Sequence, residues 1–98
     1  MEKSTPHCKL AEVQSLARAG NIRITKSAVI GAAALGLGPA AIIETLLSLE
    51  RGNFRKSMTT YADQRVWQDV YCAVTEAGMV YLKLTVIDDV LVVSFKEW

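Results

Sequence analysis

Tyr81, Lys83 and Lys96 are the residues whose types and spacing most readily support chemistry in this chain. They flank Asp88-Asp89, which reads as a turn between two apolar runs. A two-residue loop pairs Ile87 with Val90, then Val86 with Leu91, Leu84 with Val93 and Leu82 with Phe95. The last three pairs are apolar and share one face, as a core face should. The opposite face then carries Thr85 with Val92, Lys83 with Ser94 and Tyr81 with Lys96. A phenol thus stands across from an ammonium, about 5 Å away at Cβ, on the face turned from the core. With Lys83 nearby, this is a candidate anion site. On spacing alone it also reads as an ordinary polar pair on a solvated sheet face.

One reaction open to such a set is RNA cleavage by internal attack of a 2′-hydroxyl on the neighbouring phosphate. It needs a base for the 2′ proton, an acid for the 5′ leaving oxygen and cations for the developing charge. An ordinary lysine, with a pKa of about 10.4, is a cation at pH 7. An ordinary tyrosine, at about 10, is a neutral acid unless nearby ammonium groups lower its pKa.

Other chemistries find little support. The single histidine, His7, has no obvious nucleophile partner. Asp88 and Asp89 are adjacent, so they do not face each other across a substrate. No glycine-rich phosphate loop or dinucleotide fingerprint is present. The two cysteines, Cys8 and Cys72, lack zinc spacing and read as free thiols, so no metal and no cofactor is expected. A helix-turn-helix around Leu35–Pro39 would present Glu44 and Glu50 to DNA phosphates, which repel carboxylates.

The elements that must position these groups fit in one domain spanning residues 1–98. The chain is 51% hydrophobic and carries a net charge of +1, so any anion site must be a local cluster. Leu10, Val13, Leu16 and Ala17 recur at helical spacing between Lys9 and Ala19, with Gly20 at the end. A second helix is expected from about Ser27 to Leu35, with Thr25 or Ser27 as cap and Gly36 as stop. A third starts at Pro39 and carries Ile42, Ile43, Leu46, Leu47 and Leu49. Four strands follow, at 54–61, 67–74, 79–87 and 90–96, and 21–24 adds a short edge strand. Helices followed by strands indicate an α+β fold, with helices on one face of a mainly antiparallel sheet. The uncharged stretch from Ser27 to Ile43 is broken by Gly36-Leu37-Gly38-Pro39, so it reads as two buried helices, not a membrane span. The polar start, Met1 to His7, implies no export signal and a cytoplasmic protein.

Long blocks carry a family resemblance. They are Met1-Glu2-Lys3 with Thr5-Pro6-His7, Lys56–Tyr61, Trp67–Tyr71, Val80–Lys83 with Thr85–Ile87, Asp89–Leu91 and Val93–Glu97. The chain resembles the MqsR mRNA interferases, RelE-like toxins of type II toxin–antitoxin pairs, over essentially its whole length. The resemblance implies ribosome-independent mRNA cleavage, with preference for triplets beginning GC. It also implies a neutralising MqsA-type antitoxin that holds the zinc of the pair. The family's active-site positions match Lys56, Gln68, Tyr81 and Lys96. By chemistry Lys56 and Lys96 would bind phosphate, Tyr81 would transfer a proton, and Gln68 would orient substrate. Arg55 and Lys83 are further candidates for RNA contact. Strand parity groups Lys56 with Phe54, and Gln68 with Val70 and Cys72. A bulge or strand-end position is therefore expected to bring both to the site. Three positions depart from the family pattern: Arg55 for a tyrosine, Gln64 for a histidine, and Cys72-Ala73 for Arg-Pro. Their loss of cation and aromatic surface leaves a second reading, a catalytically silent antitoxin-binding module.

Overall fold

A computed structural model describes all residues from Met1 to Trp98. The chain order is β1 (Glu2–Lys3), α1 (Leu10–Arg18), β2 (Ile22–Ile24), α2 (Lys26–Ala34), α3 (Pro39–Ser48), a 3₁₀ turn (Arg51–Asn53), β3 (Phe54–Thr59), β4 (Trp67–Thr75), β5 (Gly78–Ile87) and β6 (Asp89–Glu97). The strands form one sheet in the order β1-β3-β4-β5-β6-β2, antiparallel except where β2 runs parallel to β6. This is the expected α+β architecture. Strand β1 is an addition: two polar residues carry no periodicity from which to infer a strand.

The helices end where sequence chemistry places their stops. Gly20 (φ 82°) and Gly36 (φ 76°) take the left-handed conformation just beyond α1 and α2. Thr25 caps α2, accepting a 3.1 Å hydrogen bond from the Ala28 amide. The core joins Val13 and Ala17 of α1, Ala28 and Ala32 of α2, and Ile42 and Leu46 of α3 to Tyr71, Ala73, Val80, Leu82, Leu84, Val90, Val92 and Phe95 of the sheet. Helices α2 and α3 meet at a 92° bend, and no single helix is long and apolar enough to cross a membrane.

The last hairpin departs from the expected register beside its turn. Asp88 alone makes the tight turn (φ 66°), a left-handed conformation that aspartate tolerates better than most residues. Ile87 therefore pairs with Asp89, Val86 with Val90, Thr85 with Leu91 and Leu84 with Val92. Val90 and Val92 face the core in place of Leu91 and Val93. A bulge at Val93 then adds one residue and restores the expected pairs: Lys83 with Ser94, Leu82 with Phe95 and Tyr81 with Lys96. The bulge is held from α2, because the Thr25 hydroxyl donates to the Val93 carbonyl at 2.8 Å.

Gly31 sets how closely α2 approaches β6. A Cβ at this position would lie 1.9 Å from the Phe95 carbonyl oxygen, which is backbone and cannot turn aside. Alanine improves helix propensity by about 1 kcal/mol, but overpacking of this kind typically costs about 1–3 kcal/mol. A 1.9 Å approach to backbone lies at the costly end of that range, leaving a net loss of about 2 kcal/mol, so Gly31→Ala should lower the melting temperature by roughly 8 °C or more, measured by calorimetry. An unchanged or raised value would contradict this account of the α2–β6 contact.

Candidate active site

The sheet face opposite the helices collects all four family-matched positions. Lys56 pairs with Val70, Val70 with Lys83, and Lys83 with Ser94. In the neighbouring row Cys72 pairs with Tyr81 and Tyr81 with Lys96. Gln68, beside Met58, belongs to the same face. The register shift between Phe54 and Lys56 is what admits Lys56. Phe54 pairs with Tyr71 on the helix side, Arg55 is the extra residue, and Lys56 emerges on the other side. The expected bulge is present for Lys56. For Gln68 it is unnecessary, because Val70 and Cys72 belong to this face, not to the main core. Both are nonetheless buried, in register with the long side chains of Lys56, Lys83 and Tyr81.

The face is cationic and partly desolvated. The Lys83 ammonium has its pKa pushed below the usual lysine range, first by burial and then by Lys96 and Lys56. The Lys96 Nζ lies 5.1 Å from the centre of the Tyr81 ring. Burial pushes the Tyr81 phenol up, against an opposing pull from Lys56. At neutral pH Tyr81 is therefore a protonated donor, not a phenolate.

Glu2 completes the cluster and was not singled out by sequence reasoning. Strand β1 pairs Glu2 with Met58, which sets its carboxylate Oε1 2.9 Å from the Lys56 Nζ. That contact holds the Glu2 carboxyl below its usual range and pushes the Lys56 ammonium up. Both side chains are solvent-exposed, so the pair adds little to stability. The segment before α1 is anchored by Asp69, whose carboxylate accepts from the His7 and Cys8 amides at 3.1 and 3.2 Å. His7 itself stacks on Trp67, with its Nδ1 2.9 Å from the Lys3 Nζ.

Arg55, exposed on the bulge, donates to the Gly52 and Phe54 carbonyls, and its guanidinium carbon lies 5.8 Å from the centre of the Trp98 ring. Gln64 lies in the exposed turn before β4. Cys72 lies directly across from Tyr81. No three His, Cys, Asp or Glu side chains form a group that could hold a metal ion. A groove of about 1100 Å³ lies elsewhere, with Lys9, Gln14, Leu49, Arg51, Phe54 and Tyr71 among its lining. It includes none of the four matched residues. An open face with several cations suits an extended polyanion better than a small enclosed ligand.

Comparison with known proteins gives the chain a family. Residues 5–97 match the family described as "Motility quorum-sensing regulator, toxin of MqsA". The chain belongs to the MqsR toxin family. Its relative in Escherichia coli (strain K12), the "mRNA interferase toxin MqsR", is 50% identical over 97 residues, covering 99% of each chain. The RelE-like fold expected from the resemblance agrees with the architecture of this MqsR-family chain.

The direction of the Tyr81 shift is directly measurable. Absorbance titration of wild type minus Tyr81→Phe should show one phenol ionising above pH 10, since burial raises its pKa from the ordinary value. A midpoint below 10 would mean that the ammonium groups outweigh burial and would contradict this reading of the Tyr81 environment.

Proposed function

We propose that this MqsR-family chain is a metal-independent endoribonuclease toxin that cleaves mRNA by 2′-hydroxyl attack, without the ribosome. The observation that carries the proposal is the convergence of Lys56, Gln68, Tyr81 and Lys96 on one accessible sheet face. The relative's name supplies the substrate class. The family resemblance supplies the preference for triplets beginning GC. Cleavage of mRNA sets the site of action in the cytoplasm.

The roles follow from charge and protonation. Lys56, Lys83 and Lys96 hold the phosphate and offset the charge that develops on it, in a partly desolvated site where such offset is strongest. Gln68 has no useful pKa and orients the substrate through its amide. Tyr81 donates its proton to the 5′ oxygen as the P–O5′ bond breaks. We assign acceptance of the 2′ proton to Glu2, the carboxylate 2.9 Å from the Lys56 Nζ, although Lys56 makes it a weaker base than an ordinary glutamate. The products are a 2′,3′-cyclic phosphate and a 5′-hydroxyl.

The partner is an MqsA-type antitoxin, in line with the family description. On this reading any zinc in the pair belongs to the antitoxin. Cys72 opposite Tyr81 favours one alternative, because a cation of the family pattern is missing beside the reacting groups. In that alternative the chain binds antitoxin but does not cleave.

With a chelator present, purified protein should cut a synthetic RNA containing GC-starting triplets at discrete sites. Tyr81→Phe and Lys56→Ala should each slow cleavage by roughly 10²-fold or more. Unchanged rates in both would overturn the site assignment. Failure of well-folded wild type to cleave, with antitoxin binding intact and no growth arrest on expression, would establish the silent module. Glu2→Gln separates two roles for that carboxylate. As the proton acceptor, its loss lowers kcat by roughly 10²-fold. As a mere occupant of Lys56, its loss tightens RNA binding and leaves kcat unchanged.

A further inference from the structure

Trp98 stands out among the exposed large apolar side chains because it adjoins the cationic cluster. The residue is 53% exposed, and its ring lies 5.9 Å from that of Tyr81 at an interplanar angle of 32°. The Trp98 amide donates to the Met79 carbonyl at 3.1 Å, so the backbone that carries the indole is tied to β5. Met79 pairs with Val74 on this face, and both are exposed. Val74, Met79 and Trp98 therefore form an apolar patch that continues the row of Cys72, Tyr81 and Lys96. The Arg55 guanidinium, 5.8 Å from the indole centre, closes one side of it.

Two residues of strand separate Trp98 from Lys96, about 7 Å. That is the scale of one nucleotide of extended single strand. A ligand fitting both ends must carry an anion for the ammonium groups and a flat π-system for the indole. It must also carry a polar edge for the guanidinium. Unpaired RNA has all three, since stacking on an aromatic ring tolerates any base and arginine adds hydrogen bonds and cation–π attraction.

We propose that Trp98, flanked by Val74 and Met79 and closed by Arg55, is a subsite for the unpaired nucleobase next to the scissile phosphate. The subsite rests on the ribonuclease reading above and adds a specific contact to it. It also gives Arg55 a role: the bulge that turns Lys56 to this face points the neighbouring guanidinium at the indole.

The test uses Trp67→Phe protein, in which Trp98 is the one remaining indole, and a 2′-O-methyl oligonucleotide that cannot react. Trp98 emission should be quenched saturably as the labelled oligonucleotide binds. Trp98→Leu keeps apolar cover over Tyr81 but removes the π-face. It should weaken binding by roughly 5- to 100-fold. Trp98→Phe should recover most of the affinity. Arg55→Ala should weaken binding in the same direction. Normal cleavage and binding with unchanged Trp98 emission, or full affinity in Trp98→Leu, would overturn the subsite alone. Unchanged RNA affinity with weakened antitoxin capture would overturn it in favour of a protein contact. Loss of both binding and cleavage in wild type would overturn the subsite and the ribonuclease reading together.

Discussion

A β-strand turns alternate residues to opposite faces, and this sheet breaks that rule twice where its candidate site is built. On β3, Phe54 must meet Tyr71 beneath the helices while Lys56, two residues on, must reach the other face. The extra residue Arg55 resolves the conflict. On β6, Val90 and Val92 face the core near the turn, yet Phe95 faces it as well. The extra residue Val93 resolves that conflict, and Thr25 of the helix cap takes up its carbonyl. Without the first bulge, Lys56 would point at the helices. Without the second, Lys96 would leave Tyr81.

The two faces divide the work of the molecule. The helix side carries the apolar core, and Gly31 lets α2 approach the β6 backbone closely. The other side gathers three lysines around a phenol on a floor of buried Val70 and Cys72. Like charges brought this close repel, and the lowered pKa of Lys83 records both that repulsion and partial burial. Glu2 offsets part of the charge, held in reach by β1 and by the Asp69 anchor behind it. A phosphodiester offers the remaining compensation.

Much of this was legible from residue patterns, for physical reasons that can be named. The helices announce themselves by period and caps, and the strands by β-branched and aromatic runs. The Tyr81–Lys96 pairing follows from alternation, although by a route in which two shifts cancel. The tight turn at Asp88 moves the register by one residue, and the bulge at Val93 moves it back. Alternation alone could not reveal either shift, because both depend on tertiary partners such as Thr25. The bulge expected for Gln68 proves unnecessary for a related reason. Val70 and Cys72 look like core residues, but they are buried under side chains of the site face. Glu2 and Trp98 lie outside any strong local pattern, and only the folded sheet brings them to the cluster.

The central claim is that RNA is handled on the helix-free face. Methyl NMR with a non-cleavable RNA tests it across neighbouring strands, because Val70 and Val80 occupy adjacent strands on opposite faces. The account predicts that saturating RNA shifts the methyls of Val70, Met58 and Met79, while those of Val80, Leu82 and Leu46 stay near their free positions. Shifts concentrated at Leu10, Leu49 and Ala11, around the large groove on the other side, would contradict it.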